Sequence, residues 1–302
     1  MIKSLSKSQI EQYYEEGYTV VEGALPADRL AETLRLTDEI IDAARGLSDD
    51  DERYDLEESH TPDDPRVRRL KSPFLHWPFF DDLLRDALVL DVIEPLMGPN
   101  MRLYNNKMNI KAPGYGAAVE WHQDWAFYPH TNDVGCAVGF YLDDVTATNG
   151  PMMMIPGSHK GPVFDHHAQG YFCGAMDPVK CPLDYENAVP VMGEAGTMTI
   201  HHVRTVHGSA LNHSDKPRRL LLQGYFAADA WPLVGFKPGQ DLDQFNELVV
   251  RGEASLVPRL EDVPARMPLP LAPNQGSIYE NQLTLENRYF DTVDKADGVA
   301  AE

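Results

Sequence analysis

Cysteine is scarce: Cys136, Cys173 and Cys181 are the only three in 302 residues, at irregular spacing. An odd, scattered trio sets up neither a disulfide framework nor a paired zinc-binding spacing. Positive charge is short as well. Lys and Arg number 26 against 47 Asp and Glu, a formal net charge of −21. Phosphate backbones are held by clustered Lys and Arg, so this balance argues against nucleic acid and, more mildly, against a highly phosphorylated substrate. No apolar run nears the ~20 residues that a bilayer span needs. The opening MIKSLSKSQIEQYYEEG has no apolar core of the secretory kind. Together these absences predict a protein of the reducing cytoplasm with no membrane partner.

What is present is an ordinary globular composition, 43% hydrophobic and 24% charged, enough for a substantial core in a single domain over 1–302. Residues 1–100 read as a mostly helical support. KSQIEQYYEEG forms a short helix capped by Ser6 or Ser8 and ended by Gly17, and YTVVEGAL a strand. PADRLAETLRLTDEIIDAAR is amphipathic, with Leu30, Leu34 and Ile41 on one side, and a third helix covers FFDDLLRDALVLDVIEPLMG. Between them, residues 48–64 are charged and read as a solvated loop, with a substrate lid as the minority reading. From Met101 the pattern changes to short Val-, Ile-, Tyr- and Met-rich segments separated by Gly, Pro and Asn, which predicts an antiparallel sandwich or barrel over 101–228. Residues 229–302 form an irregular, Pro-rich extension.

EWHQDWAFYPH (120–130) places an imidazole and a carboxylate two residues apart among aromatic side chains. On a strand, His122 and Asp124 share a face while Gln123 points away. They supply two thirds of a 2-His-1-carboxylate triad, which holds Fe(II) and leaves the opposite side open. Alone, a His-X-Asp is unspecific and fits a structural His–Asp pair equally well. A third ligand has four candidates by type: His201, His202, His207 and His213, with the first two reading as supporting groups. His207 is followed by Gly208 and Ser209, and eleven residues on comes Arg218, opening RRLLLQGYF. An Arg on a rigid strand suits bidentate clamping of a carboxylate, and Arg219 must face the other way.

HQD (122–124), NGPMMMIPGSHKGP (149–162) and HGSALNHSDKPRR (207–219), in this order, resemble the phytanoyl-CoA dioxygenase family. With QIEQYYEEGYTVVEGAL at the start, the resemblance spans roughly residues 8–228. It implies a mainly β fold with flanking helices, built on a double-stranded β-helix (jelly-roll, cupin-like) core. It also implies a dioxygenase using Fe(II), 2-oxoglutarate and O2 to hydroxylate or otherwise oxidise a C–H bond of a small molecule, releasing succinate and CO2. His122, Asp124 and His207 then fall at the iron ligands, and Arg218 and Ser209 at the distal carboxylate of 2-oxoglutarate. Phe140 falls beside the cosubstrate, and Lys107 and Asn109 on the strand lining its pocket. Trp125, Phe127 and Tyr128 are candidates for the substrate wall. One departure is Gly196-Thr197, where the family commonly has Gly-Asp. A carboxylate at 124 favours hydroxylation over halogenation. Members act on acyl thioesters, amino-acid derivatives and natural-product intermediates, so the substrate stays open, with a small polar metabolite or natural product preferred. A catalytically silent jelly-roll binding protein and a zinc-type hydrolase are the alternatives.

Overall fold

The computed structural model describes residues 4–114, 116–237, 239–273 and 276–290. Helix α1 (Lys7–Glu16) starts with a reciprocal cap. The Ser6 hydroxyl accepts from the Gln9 backbone, and the Gln9 side chain accepts from the Ser6 backbone. Gly17 ends it at φ 88°, where a Cβ would also stand 2.5 Å from His159 Nδ1 and Thr205 Oγ1. Only glycine meets both demands. Strand β1 (Tyr18–Val21) and helix α2 (Ala27–Asp42) follow. The apolar stripe of α2 packs on the core through Leu30, Leu34 and Ile41, as its periodicity predicts, with Ile40 fully buried between them.

The charged stretch 48–64 is more ordered than a solvated loop. It contains β2 (Tyr54–Leu56), which pairs with β3 (Val67–Lys71). Asp50 and Asp51 accept backbone N–H groups of Leu56, Arg53 and Tyr54, so acidic side chains build the turn. Tyr54 is buried and its hydroxyl donates to the Ile40 carbonyl. No residue of 48–64 lines the main cavity, which leaves the lid reading without support. After a one-turn helix α3 (Pro73–His76), the long helix expected from Phe79 to Gly98 is two: α4 (Pro78–Leu84) and α5 (Ala87–Met97). Asp86 breaks it by accepting from the Leu88 N–H and so capping a new helix.

Beyond Met101 the chain is antiparallel β. Strands β4 (Met101–Lys111), β5 (Val119–His122), β6 (Gly135–Tyr141) and β7 (Met152–Met154) come first. The small hairpin β8 (His167–Ala168) and β9 (Tyr171–Phe172) precedes β10 (Val189–Val191), β11 (Met198–His202), β12 (His207–Ser209) and β13 (Arg218–Ala227). The larger sheet runs β1-β11-β6-β13-β4-β3-β2, with β14 (Val249–Arg251) also on β4; the smaller runs β10-β7-β12-β5. These two sheets form the double-stranded β-helix. Alternation sorts their side chains. Met108, Ile110, Val138 and Leu221 enter the core under the helices, while Lys107, Asn109, Ala137, Leu220 and Leu222 face a cavity between the sheets.

The Pro-rich extension returns over this core through α6 (Leu242–Glu247) and α7 (Ile278–Asn281). Edge strand β5 is partly covered by a side chain: the Gln282 amide accepts from Glu120 N–H at 2.9 Å and donates to the Ala118 carbonyl at 3.0 Å, and the Met176 N–H donates to the Trp121 carbonyl at 2.8 Å. An amide thus satisfies an open sheet edge as another strand would. No described helix is long and apolar enough to cross a membrane.

Candidate metal centre and its cavity

His122 ends β5 and lies directly across from His207, the first residue of β12. The strand stops there. Gln123 stays extended, and Asp124 opens a 3-10 turn, yet His122 and Asp124 still converge, Nε2 to Oδ1 at 4.0 Å. Gln123 points away as expected, donating to the carbonyls of Pro162 and Arg204. One ligand atom from each of His122, Asp124 and His207 lies within 4.8 Å of the other two. All three residues are buried.

The imidazoles are prepared as ligands. His122 Nδ1 donates to the Glu120 carbonyl at 2.9 Å and His207 Nδ1 to the Thr205 carbonyl at 3.0 Å. Each bond fixes the tautomer, leaving the Nε2 lone pair for a metal. Burial pulls the His122 pKa down to about 4 and that of His207 well below its ordinary value, so both rings are neutral near pH 7. For Asp124, burial alone would lift the carboxyl, but a 3.4 Å hydrogen bond from His201 and the nearby Lys107 ammonium hold it well below. Two neutral nitrogens and one anionic oxygen fit a divalent borderline cation.

His201 thus supports Asp124, whereas His202 turns to the other face beside Asp133, 3.9 Å away. His166 is buried, accepts from the Gln123 N–H and donates to Phe164, so it locks the ligand-bearing turn and does not enter the cavity. His159 is structural and bonds the Tyr14 carbonyl.

The triad opens onto a cavity of about 480 Å³. Arg218 reaches it from β13, with Nε and Nη2 anchored on the Gly150 carbonyl at 3.1 and 2.7 Å. That seat explains NGP: the Asn149 amide ties the turn to Thr146 and Asp144, and a Cβ on Gly150 would meet the Ala210 carbonyl at 2.7 Å. Further along the motif, the Ser158 hydroxyl accepts from Val206 N–H and steadies the approach to His207. Arg219 faces away and pairs with Asp143 and Asp38. Ser209 and Asn109 line the cavity, the Asn109 amide presenting a buried atom with no protein partner. Gly208 lines it too, but its smallness serves the far side, where a Cβ would meet the Phe290 ring at 2.8 Å.

Two expected site residues lie elsewhere. Phe140 has the wrong parity on β6 and is sealed in the core under the helices, while Ala137 faces the cavity. Trp125 is fully buried, with Nε1 donating to the Pro264 carbonyl and its ring packed with Val203 and Phe226. Phe127 and Tyr128 do line the cavity. Lys107 lines it at the Asp124 end; burial pulls its pKa below the ordinary value and the Asp124 carboxylate opposes that. Sequence reasoning missed the rest of the wall. Arg69 comes from β3, Lys237 from the stretch before α6, and Ser277, Ile278 and Tyr279 from the C-terminal extension. Their sequence context carries no motif.

Besides the ligands themselves, burial depresses His130 to about 4 and His166 and His202 to about 3. The native state keeps them neutral, while the unfolded chain protonates them as pH falls through about 6.5. Their stabilisation is complete above that pH and is lost progressively towards pH 3–4. Melting of the metal-free protein is therefore expected to drop steeply from pH 7 to pH 5, with proton uptake on unfolding at pH 5 that is absent at pH 8. Calorimetry in buffers of different ionisation enthalpy measures both.

A family model described as phytanoyl-CoA dioxygenase matches residues 13–220. One relative, a probable alpha-ketoglutarate-dependent hypophosphite dioxygenase from Stutzerimonas stutzeri, is 40% identical over 286 residues, covering 93% of this chain and 99% of that one. The ectoine dioxygenase of Bordetella bronchiseptica is 26% identical over 242 residues, 74% of this chain and 75% of that one. The crystal structure of EctD from S. alaskensis with bound Fe superposes with a TM-score of 0.66 at 23% identity, covering 86% and 88% of the two chains. At that identity the likeness is one of fold.

Proposed function

Because the chain belongs to the phytanoyl-CoA dioxygenase family, and is a non-haem Fe(II)- and 2-oxoglutarate-dependent dioxygenase, we propose that it oxidises hypophosphite. The observation that carries the substrate is the likeness to the S. stutzeri hypophosphite dioxygenase, which runs through nearly the whole of both chains. The preference for a small polar substrate is thereby narrowed to an inorganic anion, and oxidation falls at a P–H rather than a C–H bond. A silent binding protein or a zinc hydrolase would leave Arg218 on its prepared seat without a use.

In this reading His122, Asp124 and His207 hold the iron, through the two lone pairs and the carboxylate described above. Arg218 and Ser209 take the distal carboxylate of 2-oxoglutarate. A planar guanidinium already fixed on Gly150 keeps its remaining N–H groups in one orientation, which suits a charge-assisted contact. Asn109, with its unpartnered amide atom, lies between that end and the metal end. The loaded centre supplies the oxidising power, with O2 and 2-oxoglutarate consumed and succinate and CO2 released. The protein's own work is positioning and exclusion of water: Phe127, Leu220 and Leu222 give the cavity apolar walls, and the C-terminal extension closes its side. Since that extension completes the wall, residues 1–302 act as one catalytic unit. The three free, buried thiols accord with a cytoplasmic setting.

Phosphorus NMR tests the substrate. Hypophosphite is expected to become phosphite in step with succinate, with one atom of labelled O2 entering the phosphite. If hypophosphite fails to stimulate 2-oxoglutarate consumption in the iron-loaded enzyme, and an organic substrate stimulates it instead, the substrate reading falls.

A further inference from the structure

The chain as a whole is strongly acidic, yet its cavity is lined by cations. Arg69, Lys107, Lys111, Arg218 and Lys237 face it, against Asp124 alone of the carboxylates. Most of these cations are committed. Arg69 pairs with Asp55. The Lys111 ammonium donates to the carbonyls of Ala117 and Ala210 at 2.6 Å each. Arg218 is seated on Gly150, and Lys237 sits exposed near the Tyr104 ring, 5.8 Å from its centroid. Lys107 makes no hydrogen bond or ion pair with a described residue, although it is half-buried in the cavity wall.

Its position is informative. On β4, Lys111 lies opposite Arg218 and Lys107 opposite Leu222. Four residues along a strand is roughly 13 Å, so Lys107 stands at the metal end of the cavity, away from the seat for the distal carboxylate. Tyr128 and Asn105 line the same cavity, with the Tyr128 phenol in the neighbourhood of both Asn105 and Asp124. Charge then decides what is missing. Divalent iron, Arg218 and Lys107 alone outweigh Asp124 and dianionic 2-oxoglutarate by one positive charge, before the other cations of the lining are counted. Among largely buried walls an unbalanced charge is costly, and a bound anion offsets it.

We propose that Lys107, with the phenol of Tyr128 and the amide of Asn105, forms an oxyanion subsite that holds a monoanionic substrate beside the metal ligands. This rests on the hypophosphite reading for the identity of the substrate, though not for its charge. Lys107 moves accordingly from the cosubstrate, where the family resemblance puts it, to the substrate.

The test uses the full-length protein loaded with Ni(II) and 2-oxoglutarate, which binds without turning over. Hypophosphite affinity is measured by calorimetry, and 2-oxoglutarate affinity by calorimetry on the Ni(II) protein alone. Lys107→Met is expected to weaken hypophosphite binding about 30-fold or more, the loss typical of a buried charge-assisted contact, while 2-oxoglutarate affinity stays within about threefold. Lys107→Arg keeps the charge and is expected to restore most of the binding, which separates a missing contact from a damaged fold. If Lys107→Met weakens 2-oxoglutarate and leaves hypophosphite unchanged, Lys107 belongs to the cosubstrate and the subsite is overturned. If the wild-type enzyme neither binds nor oxidises hypophosphite, but binds nitrate or formate and loses them in Lys107→Met, the subsite stands and the substrate reading fails.

Discussion

Alanine at His122, Asp124 or His207 is expected to abolish stable iron binding and to lower turnover about a thousandfold or more, equivalent to ~4 kcal/mol of barrier. Each substitution removes one of three protein bonds to the metal. Each also strands what supported it: without Asp124, for example, the His201 N–H loses its acceptor. His202→Ala, on the opposite face beside Asp133, is expected to keep iron and most activity. Metal content after gel filtration, read beside succinate production, tells these apart. A His207→Ala protein with full iron, alongside a His202→Ala protein without it, would place the distal ligand at 202.

The second large effect belongs to 2-oxoglutarate. Arg218→Ala is expected to raise the 2-oxoglutarate requirement by roughly 30-fold to several thousand-fold, since losing a buried charge-assisted partner costs ~2–5 kcal/mol. The loss goes beyond one contact, because the Gly150 carbonyl is also left without its two N–H donors. Arg219→Ala, one residue on, breaks the ion pairs to Asp143 and Asp38 and is expected to leave the requirement within about threefold. Steady-state titration of 2-oxoglutarate for both variants decides it. Equal shifts would contradict the assignment of Arg218 to the cavity and Arg219 to the outer face.

Which parts were legible in the sequence follows a simple physical line. The Arg218–Arg219 pair was readable because neighbouring residues on an extended chain have fixed relative directions, whereas His122 and Asp124 converge even though Asp124 already lies in the 3-10 turn. His207 and Ser209 came with a motif of close spacing. Two wall candidates were misplaced. Trp125 lies in the 3-10 turn that follows β5, and its closeness to the ligands in sequence says nothing of which way its ring points. Phe140 sits on a regular strand, but an aromatic residue among apolar neighbours gives no sign of which face is core. The helix break at Asp86 was not read from the continuous apolar pattern, because it is made by one capping hydrogen bond, from Leu88 N–H to the Asp86 carboxylate. Lys107 was found as a cavity residue, but its place at the metal end depends on the register of β4 against β13, a pairing across more than a hundred residues of chain. Tyr279, Lys237 and Arg69 carried no signal at all, because nothing local distinguishes a side chain that meets the cavity only after the chain has folded back.

That return of the chain has a bearing on descent. The stretch that the family model covers ends at residue 220, and with it go every proposed iron ligand and Arg218. Lys237, Ser277, Ile278 and Tyr279, which shape the remaining wall, lie beyond it. The oxidising centre and the anion seat of Lys107, Tyr128 and Asn105 are therefore inherited on one stretch of the chain, and the outer wall on another. Drift after residue 220 can reshape that wall while both are passed on unchanged. A relative whose likeness stops near that point testifies to the chemistry and is silent on how the cavity is closed at its side.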